Sequence, residues 1–233
     1  MSTHTDIQIP YFAAEPESAS VPFPPFAISS SAAIYLKRWL DLVAALLLAP
    51  LVLLLIAPIC LLVMLDGGKP IYRHLRIGRG GRIFYCYKIR SMTPDAEARL
   101  KTLLETNDPA REEWEGQFKL KDDPRITRLG RFLRRTSLDE LPQLWNVMRG
   151  EMSFIGPRPI VPDELEKYGE FAPAYLACLP GISGLWQVNG RNDTTYEARV
   201  AFDTRYAREW SLLLDVRIVL MTLPVVLKAR GSY

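Results

Sequence analysis

Apolar and polar residues fall into separate blocks along this chain. Leu42 to Leu65 is an uncharged run of 24 residues, interrupted in conformation alone by Pro50 and Pro58. As a straight helix at ~1.5 Å per residue it would reach about 36 Å, enough to cross a bilayer. A proline inside a helix removes a backbone hydrogen bond and favours a kink, which places a break at Pro50. Basic residues flank both ends, Lys37 and Arg38 before the run and Lys69, Arg73, Arg76 and Arg79 after it. The positive-inside tendency would keep both ends in the cytoplasm. Two topologies are open on these residues: a re-entrant helix–break–helix hairpin, and a spanning helix with a short N-terminal tail outside.

The pattern then changes. Pro70 to Tyr72 and Arg82 to Ile89 read as short strands, joined through a glycine-rich segment, Arg76 to Gly81, that suits a hairpin turn better than a phosphate cradle. Thr93-Pro94 opens a helix running towards Glu105, and Asp108-Pro109 starts another. Residues 94–121 are charge-rich, as expected of a solvated helical surface. Trp210 to Leu227 is apolar again but carries Asp215, Arg217 and Pro224. These make it a poor spanning segment and suit a helix packed in the membrane interface beside the hairpin.

Composition narrows the chemistry. The 233 residues include three cysteines (Cys60, Cys86, Cys178) and two histidines (His4, His74). No CxxC pair or histidine cluster exists, so a zinc site, a disulfide framework and a Ser/His or Cys/His triad are poorly supported. Carboxylates, arginines, hydroxyls or a hard cation are left to do the work. Residues 1–33 are rich in Pro, Ser and Ala and predict a disordered tail rather than a signal peptide. The tail holds no Lys or Arg, so the rest of the chain carries the whole basic surplus. That surplus suits an anionic bilayer or a phosphate-rich substrate. A basic stripe with interleaved aromatics is missing, and no nucleic-acid partner is expected.

The densest polar cluster runs from Arg131 to Gln143. Ser137 and Glu140 have the spacing of a capping box, with Leu138, Leu141, Leu144, Val147 and Met148 on the apolar face and Pro142 as a strain on the assignment. Asp139 then falls in a first helical turn, where backbone N–H groups together with Arg134 and Arg135 favour its ionised form. Such a carboxylate can attack phosphorus or ligate Mg²⁺, and a neighbouring acid permits a division of labour. The same pair could equally do no more than stabilise the helix start. A second cluster, Gly156-Pro157-Arg158-Pro159, is a stiff turn that fixes one guanidinium, as a diphosphate clamp needs. A third, Pro180 to Arg191, offers Trp186, Gln187, Asn189 and Arg191 for a nucleotide or sugar, or simply a buried turn around a packed Trp.

The ordered combination carries more information than any one cluster. Lys37-Arg38-x-x-Asp41 precedes the proline-broken apolar run. Arg76-x-Gly78-x-x-Gly81-x-x-Phe84, Tyr87-Lys88-x-Arg90-Ser91-Met92 and Leu133 through Asn146 follow, then Arg149-Gly150-x-Met152-Ser153 and Gly156 to Pro159. From about Tyr35 onwards this closely resembles the bacterial sugar transferases, the monotopic polyprenol-phosphate phosphoglycosyl transferases. The resemblance is nearest to the short members that prime succinoglycan-type exopolysaccharide, without the multi-span N-terminal domain of longer relatives.

The resemblance implies an α+β fold: a mainly helical cytoplasmic catalytic domain with a small β-hairpin, anchored by one re-entrant helix–break–helix membrane hairpin and interfacial amphipathic helices. It divides the chain into a tail (1–33), a membrane hairpin broken at Pro50 (34–65) and a catalytic domain (66–233). It further implies a Mg²⁺-dependent ping-pong enzyme of the bacterial inner membrane that moves hexose 1-phosphate from UDP-galactose or UDP-glucose to undecaprenyl phosphate. Asp139 would be the nucleophile, with Glu140 assisting through metal and proton handling. Arg134, Arg158, Lys88 and Arg90 are expected at the phosphates, and Gln187, Asn189 and Arg191 at the nucleotide or sugar. A homodimer is compatible with it. Leu179 departs from the Lys or Arg that many relatives carry, so a phosphate contact at that spot does not carry over from the resemblance, whereas the Asp139 chemistry does. A nucleotide-sugar hydrolase and a membrane-tethered scaffold are the competing functions.

Overall fold

The computed structural model describes residues 31–65, 67–117, 120, 122–189 and 194–227. Nearly all of the expected tail, and Arg191, lie outside them.

The apolar run forms part of one helix, α1 (Ser31–Met64), with Pro50 and Pro58 inside it. Among the described residues it alone is long and apolar enough to cross a membrane. Asp41, Ala45, Ala49, Val52, Ile56, Ile59 and Val63 make a stripe of buried and half-buried positions at helical spacing. Ala45, Ala49 and Val52 pack with Phe84, Leu144 and Val147, while Ile56, Ile59 and Val63 pack with Ile89 and Leu133. The stripe stays on one side across both prolines. Helical structure runs through both prolines. On the opposite face Leu46, Leu47, Leu53 and Leu54 are exposed.

Strands β1 (Ile71–Ile77) and β2 (Ile83–Ile89) form an antiparallel hairpin closed by a 3₁₀ turn at Arg79–Gly81, where Gly80 and Gly81 have positive φ. The first strand is longer than the sequence suggested. Its cross-strand partners run from Ile71↔Ile89 to Ile77↔Ile83. Helices α2 (Ala96–Thr106) and α3 (Asp108–Gln117) follow, and α2 buries no residue. This agrees with a charged, solvated pair.

Next come α4 (Arg128–Thr136), a 3₁₀ turn at Leu138–Glu140, and α5 (Gln143–Arg149). Gly130 in α4 meets the end of β2 so closely that a Cβ there would lie 1.8 Å from the Ser91 carbonyl oxygen. Strand β3 (Ser153–Ile155) pairs in parallel with β4 (Gly181–Ser183). Between them lie a 3₁₀ segment (Pro162–Phe171) and α6 (Ala172–Ala177). The glycines of the second and third clusters meet at this crossing: a Cβ on Gly181 would stand 2.1 Å from the Gly156 nitrogen. They admit backbone to backbone rather than backbone to ligand.

The chain ends in α7 (Leu185–Val188), α8 (Tyr196–Glu209) and α9 (Leu212–Leu227). Asp215, an interruption of the apolar pattern in sequence, is a latch. Lys37 Nζ lies 2.5 Å from it, and Tyr206 Oη and Trp210 Nε1 donate to it at 2.7 and 3.2 Å. This ties α9 to α1 and α8. Leu213, Val216, Leu220 and Leu223 of α9 remain exposed.

Candidate active site

The β-hairpin supplies the floor. Residues opposite one another in an antiparallel pair share a face, so Tyr72 with Lys88 and His74 with Cys86 face one way. They line a cavity of about 1000 Å³ that also takes in Asp139, Glu140, Arg134 and Arg158. That is near the upper end of ordinary small-molecule sites, roughly 300–1,000 Å³.

The acidic pair reaches the floor through a local conformation that differs from the expected capping box. Ser137 is left-handed (φ 57°) and ends α4; its side chain makes no cap, and the next helix starts only at Gln143. Pro142 explains the division. Lacking an N–H, it could not bond back to Leu138 in a helix begun at Ser137. The result is a tight 3₁₀ turn that places Asp139, 7% exposed, against the hairpin. Asn146 of α5 fixes the distance: it accepts from Tyr87 N and donates to the Tyr85 carbonyl, at 3.1 and 2.7 Å.

Lys88 Nζ lies 2.7 Å from Glu140 and 3.9 Å from Asp139, and Arg158 Nη1 lies 3.7 Å from Glu140. Arg134 lines the same wall and donates to Ser91 Oγ at 2.8 Å. Burial, the largest influence, raises the Asp139 carboxyl above its ordinary value; Lys88 opposes this, Glu140 reinforces it, and Arg134 and Arg158 oppose it. The sequence had suggested a carboxylate favoured by a helix start. Without that helix start, desolvation dominates. Two hard oxygen donors beside a cationic wall suit a Mg²⁺ shared with a substrate diphosphate, since Mg²⁺ commonly takes only one or two protein carboxylates. Among the described residues no group of three or more His, Cys, Asp or Glu side chains forms a metal cage.

The remaining expected residues divide. Gln187 is buried and lines the cavity. Asn189 does not line it; its amide donates to the Leu185 carbonyl at 2.7 Å and closes the end of α7. Arg90 borders the cavity, but its guanidinium donates to the carbonyls of Lys69, Met92 and Val63. It clamps the end of α1 to the end of β2 while bordering the cavity.

Sequence reasoning passed over the network that holds Arg158 in place. Arg199 of α8 donates to the Arg158 carbonyl at 3.4 Å and pairs with Glu164 at 3.2 Å. Arg76 donates to the Pro159 carbonyl at 3.3 Å and lies 3.6 Å from the same Glu164. Asp203, 1% exposed, accepts from Tyr168 Oη at 2.6 Å and lies 3.8 Å from Arg199. Attraction from Arg199 and Arg76 and a hydrogen bond from Val161 N outweigh burial to lower the Glu164 carboxyl, while burial raises Asp203 to about 6. A signal was present. Arg199 and Asp203 are spaced i,i+4 in phase with Tyr196, Val200 and Ala207, on the buried side of α8.

A family model described as bacterial sugar transferase matches residues 32–229. The chain is 53% identical over 199 residues to the UDP-galactose-lipid carrier transferase of Erwinia amylovora, covering 85% of this chain and 42% of that protein. It is 51% identical over 204 residues to the undecaprenyl-phosphate galactose phosphotransferase of Salmonella typhimurium, with the same two coverages. Over 192 residues it is 51% identical to the exopolysaccharide production protein ExoY of Sinorhizobium fredii, covering 80% of this chain and 85% of that protein. It thus spans less than half the length of the first two relatives and most of the third.

Proposed function

This chain belongs to the bacterial sugar transferase family, and we propose that it transfers hexose 1-phosphate from a UDP-hexose to undecaprenyl phosphate, releasing UMP, to prime exopolysaccharide synthesis. The observation that carries the reading is the buried Asp139 and half-buried Glu140 set against Lys88 and Arg158 in a cavity that reaches the apolar helix α9. Water-soluble and membrane-bound substrates could both reach such a site. The relatives named for galactose favour UDP-galactose as donor, with UDP-glucose the alternative.

Asp139 is the proposed nucleophile. Its carboxylate oxygen forms a bond to the β-phosphorus as the bond from that phosphorus to the bridging oxygen of UMP breaks. A phosphate oxygen of the polyprenol then attacks the same phosphorus. The bond to Asp139 breaks, and the carboxylate is restored as the polyprenol-diphosphate hexose leaves. Lys88, Arg158 and Arg134 offset charge on the phosphoryl oxygens. Asp139 and Glu140 would hold Mg²⁺, which when bound neutralises part of the diphosphate charge. Glu140 also handles protons beside the reacting oxygen.

The membrane arrangement belongs to the same proposal. Both ends of α1 are tied to one body, through Arg38 to the Val147 and Met148 carbonyls and through the Val63 carbonyl to Arg90. This supports entry and exit at one membrane face, the cytoplasmic face of the inner membrane, with the leucine-covered side of α1 in lipid. The membrane-bound enzyme, given labelled UDP-galactose or UDP-glucose, Mg²⁺ and undecaprenyl phosphate, should form labelled lipid and UMP in equal amounts. UMP with free hexose phosphate and no lipid product would make it a hydrolase. Neither product from either donor would favour the scaffold.

A further inference from the structure

The residues that line the cavity fall into two arms. One comprises Trp186, Gln187, Ser183 and Thr222, the hydroxyls of the last two 2.7 Å apart. Thr222 belongs to α9, where Leu220 and Leu223 are exposed. The other comprises Tyr72 and His74 of the hairpin floor, Glu97 of α2 and Trp114 of α3. Those two helices are charge-rich. The arms differ in what they can bind.

We propose that the second arm is the nucleoside subsite for the UDP-hexose, with the Tyr72–His74 pair and Trp114 providing aromatic surface for the pyrimidine and Glu97 an acceptor for ribose hydroxyls. The inference rests on the transferase reading above and adds to it the position and orientation of the donor.

Three observations support it. Tyr72 sits directly across the strand pair from Lys88, so a nucleotide whose β-phosphate meets Lys88 and Asp139 has an aromatic ring within one nucleotide length. Tyr72 and His74 present neighbouring rings, 5.9 Å apart and tilted by only 30°. Burial and Arg76 lower the His74 pKa, leaving it neutral and suited to stacking at physiological pH. Trp114 has the Arg125 guanidinium over its ring at 5.1 Å; Trp186 in the other arm has both Arg199 at 5.0 Å and Arg158 at 5.9 Å, and its indole N–H donates to Thr194. That indole is engaged in holding the Arg158 loop. The donor nucleotide would therefore lie under α2 and α3, leaving the arm beside α9 to the lipid phosphate, and the two substrates would approach Asp139 from different sides.

UMP, the leaving nucleotide, is the probe. Its dissociation constant can be measured by calorimetry on the full-length, detergent-solubilised enzyme with Mg²⁺. Tyr72 is 48% exposed, so replacing it need not disturb the core. Loss of a base-stacking ring should weaken binding about tenfold in Tyr72→Ala, and Trp114→Ala should show a similar effect. Tyr72→Phe should bind nearly as wild type, and so should Thr222→Val, which instead should raise the KM for undecaprenyl phosphate. Unchanged UMP affinity in Tyr72→Ala and Trp114→Ala, with affinity lost in Gln187→Ala or Thr222→Val, would overturn the subsite and leave the transferase standing. A wild-type enzyme that binds no UMP would overturn both.

Discussion

Two clusters of cations and carboxylates lie a few residues apart in space and behave oppositely. In one, Lys88 and Arg158 face Asp139 and Glu140, with side chains 24%, 31%, 10% and 19% exposed. In the other, Arg199 faces Glu164 and Asp203, with exposures of 6%, 11% and 1%. The first opens into the cavity, and its carboxylates are shared among cations that a phosphate can recruit. The second is closed, and the arginine at its centre also holds the backbone of the loop that carries Arg158. Like residue types thus stand open to a ligand in one cluster and are locked into the fold in the other.

The comparison breaks most visibly at Asp139. Asp139→Asn should lower transfer by more than about 10³-fold, since it removes the attacking atom. Thermal unfolding should show no loss of stability, because Asn avoids burying a carboxylate. In the closed cluster the order reverses. Arg199→Ala should destabilise the fold by about 3–5 kcal/mol, leaving the buried Asp203 without its cation and Glu164 with Arg76 at 3.6 Å. In chemical denaturation Arg199→Lys should recover part of this, since Lys replaces the charge without the forked geometry.

A sharper test uses pH. The folded pKa of Asp203, about 6, lies above its ordinary 3.8. Its favourable contribution is therefore full below about pH 4 and is lost as pH rises through 6, by at most about 3 kcal/mol. Glu164, held below its ordinary value, has the opposite sign: its contribution is present at neutral pH and lost on acidification. Urea denaturation between pH 4 and 7 should show Asp203→Asn gaining on wild type as pH rises and Glu164→Gln falling behind. The smallest effect is expected at Ser137, the one non-glycine residue of positive φ among those described. Ser137→Gly should stabilise by no more than about 1 kcal/mol, relief of left-handed strain offsetting glycine's entropy.

What could be read in advance follows from the range of the forces involved. The hairpin and the apolar helices were legible because alternation and uncharged runs are local patterns. The Asp139–Glu140 pair was found, but its setting was misread, since a left-handed Ser137 and a split at Pro142 mimic the spacing of a capping box. The parallel pairing of Ser153–Ile155 with Gly181–Ser183 left no periodic trace, each strand being three residues long. The carbonyl partners of Arg90 come from Lys69, Met92 and Val63, and only the fold brings Val63 near it. Arg199 and Asp203 resemble a surface ion pair until α8 is seen to turn them inward.

The covalent step is the most direct point of attack. Intact-protein mass would be recorded after mixing the enzyme with Mg²⁺ and UDP-galactose or UDP-glucose, quenched rapidly and without undecaprenyl phosphate. The predicted result is a gain of one hexose phosphate that vanishes on adding the lipid phosphate and never forms in Asp139→Asn. An adduct that persists in Asp139→Asn, or steady lipid product with no adduct at any quench time, would contradict attack by Asp139.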